Sequence, residues 1–307
     1  MELKRHGYGS NFNKLFIDLS FNTIRKECFH SDGMKKIRCE ISFLQFLIDN
    51  NVHFPVPQIH EILPNGYVMG FMQDYIPLYR IYKSIDQTIV LPDIMEKLNI
   101  LHSYDKRITS HDVYLTNLLA ETRDKIYERF KVTEEIVSKY NLVKSVNGVQ
   151  IYAFDYIIES LNNRIIELVR RKKEFYFVPI HGDCQFNNVL IHPKTNRICF
   201  IDPRGYYGNM EIYGIEEYDF AKILFALSGY DNFDNSANSD LNIDNVSDIE
   251  IQTNILDVGF LNNNNLETLI MLTIWLGNAH CFAKNETKAA YSYFIAMYYS
   301  TLFLNKH

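Results

Sequence analysis

The chain reads as an α+β fold, with a small antiparallel sheet and one helix in its first part and helices dominating the remainder. Short alternating apolar segments joined by turn residues recur before residue 77, which is the period of strands. Apolar residues at three- and four-residue spacing recur after it, which is the period of helices. A single apolar hairpin interrupts the helical part near residues 189–201. With 307 residues, 47% hydrophobic and 22% charged, the chain can bury a sizeable core and does not resemble a disordered one.

The elements follow in order. Residues 15–19 and 23–28 alternate like paired strands, with Ser20-Phe21-Asn22 as the turn. Ser31-Asp32-Gly33 marks a break before a helix over about 34–49, whose Ile37, Ile41, Leu44, Leu47 and Ile48 share one face. A proline-interrupted link over 52–57 leads to a hairpin, residues 61–63 and 67–75 around Asn65-Gly66, a dipeptide that accepts positive φ. Beyond Ile76-Pro77, helices are expected near 93–103, 113–140 and 151–173, the last ending in Arg170-Arg171-Lys172-Lys173, where cations complement the helix dipole. After the second hairpin a helix is expected over 218–227. Residues 229–265, rich in Asp, Asn and Ser, read as a flexible loop or lid, and two more helices run from Leu266 to the end.

The bulk properties exclude several classes. A net charge of -6 gives no electrostatic footprint for nucleic acid. The five cysteines (Cys28, Cys39, Cys184, Cys199, Cys281) form no C-x-x-C pair, fit neither a disulfide framework nor a zinc site, and point to a reducing cytoplasmic setting. Neither a signal-peptide core nor a run of roughly 18 apolar residues is present, so no membrane partner is expected. Oligomeric state is not legible.

The chemistry concentrates in His181-Gly182-Asp183-Cys184-Gln185-Phe186-Asn187-Asn188 and, fourteen residues after Asn188, Asp202 in Phe200-Ile201-Asp202-Pro203-Arg204-Gly205. Val189-Leu190-Ile191 and Ile198-Cys199-Phe200-Ile201 read as strands joined by a turn over 192–197, so a hairpin brings Asn188 and Asp202 side by side at its open end. Phosphoryl transfer needs this set: a base to take or orient the proton of an attacking hydroxyl, here Asp183, and hard oxygen ligands for Mg²⁺, here Asn188 and Asp202. In protein kinases the same parts read H-R-D-x-x-x-x-N followed by D-F-G. A bland alternative, an Asp cap and an unrelated Asp in a turn, explains either acid alone but not the whole string.

A kinase-like arrangement also demands a Gly-containing turn before the second strand, a Lys on the third and a Glu on the next helix. Gly7-Tyr8-Gly9-Ser10-Asn11 stands just before the strand beginning near Lys14, so backbone N–H groups at Gly9, Ser10 and Asn11 could approach phosphates, although such a turn read alone is a solvent-facing one. Lys26 lies on the 23–28 strand. Glu40 sits on the apolar face of the following helix and needs a partner, for which Lys26 is the natural candidate and Glu27 with Lys35 or Lys36 the rival surface pairing.

On these residues the chain resembles the aminoglycoside phosphotransferase and choline kinase-like family, small-molecule relatives of protein kinases. The resemblance implies a two-lobed protein-kinase-like fold, with residues 1–76 as the nucleotide-binding lobe and 77–307 as the catalytic and acceptor-binding lobe. It implies ATP and Mg²⁺ as cofactors, Asp183 as base, Asn188 and Asp202 on the metal, Lys26 and Glu40 at the phosphates, and the 72–76 segment, with Gln73 and Tyr75, at the adenine through backbone groups. Ile100-Leu101-His102-Ser103 resembles the family's Leu-His pair, a structural element. Many relatives carry a second acid two residues after the metal Asp; here that position is Arg204. The Asp-Pro-Arg-Gly variant resembles a subset of that family associated with bacterial sugar and surface-polysaccharide gene clusters. Arg204 either contacts an anionic substrate or the transferred phosphate, or pairs with an acid of the motif loop.

A protein kinase is the nearest rival, but only seventeen positions separate Asp202 from Asp219, too few for a peptide-docking segment. A nucleotide-binding pseudokinase or scaffold is the rival from another class, and the full catalytic set argues against it. The expected activity is therefore transfer of the ATP γ-phosphoryl group to a hydroxyl of a small acceptor. A sugar, polyol or sugar derivative comes first, then choline or another amino alcohol, and aminoglycosides last. Tyr206, Tyr207, Tyr230, Trp275 and His280 could wall the acceptor pocket, but each reads more naturally as core.

Overall fold

A computed structural model of the chain describes residues 2–3, 13–235, 246–251 and 259–307. Its α-helices are, in chain order, α1 (Ser31–Asp49), α2 (Gln87–Ser103), α3 (His111–Leu119), α4 (Lys125–Ser138), α5 (Phe154–Arg170), α6 (Glu216–Leu227), α7 (Tyr230–Asn235), α8 (Leu266–Leu276) and α9 (Glu286–Lys306). The chain is α+β, with an antiparallel sheet near its start and mostly helices beyond. By packing it divides into two units: residues 1–108 with 176–226, and residues 109–175 with 227–307. The expected boundary at residue 76 falls inside the first of these.

The first unit carries a five-stranded antiparallel sheet formed by β1 (Glu2–Leu3), β2 (Asn13–Asp18), β3 (Thr23–Cys28), β4 (Ile59–Leu63) and β5 (Gly66–Gly70), in the order β1-β2-β3-β5-β4. β3 is the central strand, with Lys26 opposite Leu15 of β2 on one side and Tyr67 of β5 on the other. Ile24, Lys26 and Cys28 alternate onto its buried face, so the pleat itself carries the Lys26 side chain inward. Helix α1 packs on this sheet through Ile37, Phe43, Leu44 and Leu47, all buried, whereas Ile48 is exposed. The strand expected over 67–75 ends at Gly70, where the chain turns.

Two three-stranded sheets also belong to the first unit. β6 (Ile76–Pro77) pairs with Val189–Ile191, which pairs in turn with Ile198–Phe200, and Tyr176–Pro179 pairs with both Arg107–Ile108 and Tyr213–Gly214. The turn of the second hairpin is closed by the His192 amide donating to the Arg197 carbonyl at 2.9 Å, with Asn196 at φ 57°, a conformation that asparagine tolerates. Helix α2 begins well before the expected residue 93. Asp86 accepts from the Thr88 amide at 3.0 Å and so caps its start, and Pro92 lies early enough that the helix loses one backbone donor without breaking.

The second unit is helical, with corrections to two expectations. The segment expected as one helix over 113–140 is α3 and α4 joined by a π-turn over Ala120–Asp124. The described parts of the presumed loop at 229–265 are largely ordered elements. Helix α7 buries Tyr230 and Phe233, Asp248–Ile249 pairs in parallel with Ser145–Val146, and Gly259–Asn262 forms a 3₁₀ turn. Trp275 of α8 is fully buried and donates its indole N–H to Ser228 Oγ at 2.7 Å, while the Tyr299 hydroxyl of α9 donates to the Ser228 carbonyl at 2.8 Å. Tyr207, Tyr230 and Trp275 are thus core residues rather than pocket walls. Among the described residues, no helix is long and apolar enough to cross a membrane.

Candidate functional site

Lys26 is the hub of the site. Its ammonium donates to Glu40 Oε2 at 2.6 Å and to Asp202 Oδ1 at 3.0 Å, and its side chain is only 1% exposed. Three segments far apart in sequence therefore meet at one nitrogen: a strand, helix α1, and the loop after the second hairpin. The Tyr67 hydroxyl is a second donor to Glu40 Oε2, at 3.1 Å. Burial pushes the Glu40 carboxyl upward and Asp202 adds to that, while the Lys26 charge and the two hydrogen bonds oppose it. The rival surface pairing of Glu40 gives way to this buried one.

The second hairpin does what its spacing predicts. Val189 faces Phe200, and the Ile201 amide donates to the Asn188 carbonyl at 2.9 Å, so Asn188 and Asp202 flank its open end. Asn188 Nδ2 donates to the Asp183 carbonyl oxygen at 2.9 Å and to Asp183 Oδ2 at 3.0 Å. With its nitrogen engaged in this way, Oδ1 is the remaining polar atom of the amide. Asn188 and Asp202 supply two oxygens, a donor set that fits Mg²⁺, which keeps several waters and takes its remaining oxygens from substrate phosphates. Among the described residues, no group of three His, Cys, Asp or Glu side chains could hold a metal ion alone.

The loop after Asp202 is held by its backbone. Asp202 has φ 55° and Gly205 φ 67°, and the Arg204 amide donates to the His181 carbonyl at 2.8 Å. A Cβ on Gly205 would be driven into the Cys39 carbonyl, so only glycine allows the loop to lie against α1 beside Glu40. The Arg204 side chain passes over Gly182, where an added Cβ would come within 2.9 Å of the Arg204 Cβ. Its guanidinium donates to the Tyr218 hydroxyl at 2.7 Å and lies 4.1 Å from the centroid of the Tyr206 ring.

Two residues of α6 complete the loop, and sequence reasoning had not given either a role in the site. Asp219, fully buried, accepts the His181 amide at 2.9 Å, the Gly182 amide at 2.6 Å and the His102 imidazole at 3.0 Å. Burial disfavours its charge, but the His102 hydrogen bond and the neighbouring imidazoles and amides outweigh this and hold its carboxyl below the usual range. Lys222, one turn on, places its ammonium 2.9 Å from Asp183 Oδ1. The His181 ring lies 3.1 Å from the Ile201 carbonyl through Nε2 and accepts the Asp183 amide at 3.2 Å through Nδ1, an arrangement that suits the neutral ring. Burial accordingly pushes its pKa down, against the nearby carboxylates. Cys184 is fully buried with its thiol pushed well up, as expected of packing.

Of the remaining expected residues, Gln73 and Tyr75 are not drawn into this cluster. Gly9, Ser10 and Asn11 lie outside the described residues. At the 72–76 segment the Gln73 amide donates to the Phe71 carbonyl at 3.0 Å and the Tyr75 amide to the Met72 carbonyl at 3.0 Å, so both N–H groups close local turns. Tyr75 meets the His192 ring edge-on at 5.4 Å and lines a cavity of about 510 Å³ with α2 residues Val90, Asp93 and Lys97, a cavity that shares no other residue with the expected site.

No protein-family model matches the chain, and no curated protein does. Solved structures match by fold. An ethanolamine kinase from Plasmodium vivax superposes with a TM-score of 0.50 at 14% identity, over 100% of this chain and 83% of that one. An aminoglycoside phosphotransferase, APH(2'')-IIa in its gentamicin complex, gives a TM-score of 0.50 at 14% identity, over 96% of this chain and 90% of that one. The choline kinase LicA from Streptococcus pneumoniae gives 0.47 at 14% identity, over 94% and 89%. The two matches at a TM-score of 0.50 establish the fold alone, the α+β protein-kinase-like one.

Proposed function

We propose that the chain is an ATP-dependent phosphotransferase that moves the γ-phosphoryl group to a hydroxyl of a small molecule, with a sugar, polyol or sugar derivative as the leading acceptor class. The observation that carries this is Lys26, buried between Glu40 at 2.6 Å and Asp202 at 3.0 Å. Burying one ammonium with two carboxylates carries a desolvation penalty that an apolar trio would avoid, so such an arrangement is better explained by chemistry than by stability.

In this reading Asp183 orients the acceptor hydroxyl and takes its proton, and Asn188 holds Asp183 by donating to one carboxylate oxygen. Asn188 Oδ1 and Asp202 would hold Mg²⁺, which neutralises phosphate charge when bound. Lys26, kept in place by Glu40, faces the nucleotide phosphates. Asp219 fixes the loop backbone at His181 and Gly182. Residues 1–76 serve nucleotide binding, with Gly9, Ser10 and Asn11 at the phosphates, and Gln73 and Tyr75 meet the base through backbone groups. Residues 77–307 supply catalysis and the acceptor pocket.

The test is ADP release from Mg²⁺ and ATP across sugars, polyols, amino alcohols, amino acids and aminoglycosides. Stimulation by a sugar or polyol is expected. Stimulation confined to choline-like compounds or aminoglycosides would move the acceptor to that class, and stimulation by protein substrates alone would contradict the small-molecule assignment. ATP binding without turnover under any condition would leave a nucleotide-binding scaffold.

A further inference from the structure

Helix α6 presents one face to the catalytic loop. Tyr218 and Asp219 each lie about one turn before Lys222, and each of the three holds a different part of the site. The Tyr218 hydroxyl accepts Arg204 at 2.7 Å, Asp219 takes the His181 and Gly182 amides, and Lys222 reaches the Asp183 carboxylate at 2.9 Å. The Lys222 side chain is 13% exposed and its ammonium lies 5.4 Å from the Phe225 ring centroid and 5.9 Å from that of Tyr218. Burial alone would depress that ammonium, yet the Asp183 charge and hydrogen bond more than reverse this and leave it raised.

Asp219 already anchors the loop backbone, so Lys222 is not needed for that purpose. What it touches is the carboxylate itself. The terminal torsion of an aspartate is broad and roughly two-fold, so one hydrogen bond does not fix which oxygen faces a ligand. In Asp183 each oxygen has its own donor, Lys222 on Oδ1 and Asn188 Nδ2 on Oδ2. Two donors on separate oxygens select one orientation, and a carboxylate with about four lone-pair sites still has two left for an incoming hydroxyl.

We propose that Lys222 is the positioning residue of Asp183, clamping the carboxylate in the one orientation from which it can meet the acceptor hydroxyl. The proposal rests on the phosphotransferase reading above. Misplacement of a reacting group by about 1 Å can lower a rate by about 10²-fold, which sets the size of the effect.

The assay is ADP release from Mg²⁺ and ATP with water as the acceptor. Lys222→Met, which keeps the buried stem, is expected to lower kcat by about 10- to 100-fold with KM for ATP changed less than about two-fold. Lys222→Ala supplied with ethylammonium is expected to regain rate saturably, a response that a structural defect does not give. A second readout uses the nucleotide-free protein. In urea unfolding, Lys222→Met and Asp183→Asn should be non-additive in the double variant, because each already breaks the same pair. Wild-type kcat in Lys222→Met, a raised ATP KM with unchanged kcat, or additive unfolding effects would overturn the proposal. Should Lys222→Ala fail to fold, the Met variant and the unfolding cycle decide. Absence of ADP release by the wild type both with water and with every acceptor class above would instead defeat the phosphotransferase reading, while the unfolding cycle would still report on the pair.

Discussion

Lys26→Met removes an ammonium and keeps most of its stem, which makes it the cleanest perturbation of the hub. The variant strands two carboxylates, Glu40 with its residue 7% exposed and Asp202 with its side chain 17% exposed. Removing one partner of a buried ion pair costs about 3–5 kcal/mol. For a unit of this size that corresponds to a fall of roughly 6–20 °C in melting temperature, at about 2–4 °C per kcal/mol. Glu40 offers partial relief. Its carboxyl is already pushed upward by burial, so the stranded acid can take up a proton, and the loss should shrink as pH is lowered and grow as pH rises. Adding Glu40→Gln removes the more deeply buried of the two stranded charges and should recover at least about half of the lost stability, a coupling of roughly 1.5 kcal/mol or more. Thermal and urea unfolding of the four proteins measures this. Stability of Lys26→Met within about 1 kcal/mol of wild type, or strict additivity of the two substitutions, would refute the buried hub.

Other expectations follow from the same geometry. Gly205→Ala must place a Cβ against the Cys39 carbonyl at φ 67°, so it should destabilise by more than about 2 kcal/mol in urea unfolding, where a surface Gly→Ala change would be neutral or better. His181 is held neutral by burial, so the unfolded chain takes up a proton there that the native one refuses. Stability should therefore fall as pH drops below about 6.5, and His181→Gln should lessen that part of the fall between pH 7 and 5, as read by melting temperature. Asp202→Ala should abolish the Mg²⁺-dependent part of ATP binding in calorimetry, and unchanged affinity in Mg²⁺ would remove Asp202 from the metal site.

Much of this arrangement was legible because local patterns coincide with it. Alternation on β3 puts Lys26 on the buried face, helical spacing puts Glu40 on the inner face of α1, and the hairpin spacing brings Asn188 beside Asp202. Each of these needs only the period of one element. Lys222 was missed because its partner is distant in sequence and the one-turn relation to Asp219 matters only once α6 lies against the loop. Arg204 was noticed but its partner was not, since the Tyr218 hydroxyl is chosen by tertiary approach and no sequence period reports it. In the presumed loop, Asn- and Asp-rich composition concealed Tyr230 and Phe233, whose three-residue spacing lets α7 bury both rings. The helix expected near 93–103 starts earlier because Asp86 caps it ahead of Gln87.

The most direct measurement compares wild type and Asp183→Asn for ATP affinity by calorimetry and for ADP release with the best acceptor found. With Asp183 as the base, and with Lys26, Asn188 and Asp202 untouched, the variant should bind Mg²⁺ and ATP within about two-fold of wild type and lose at least about 10²-fold in turnover. Turnover at the wild-type rate would contradict the assignment of Asp183, and with it the phosphotransfer site built around it.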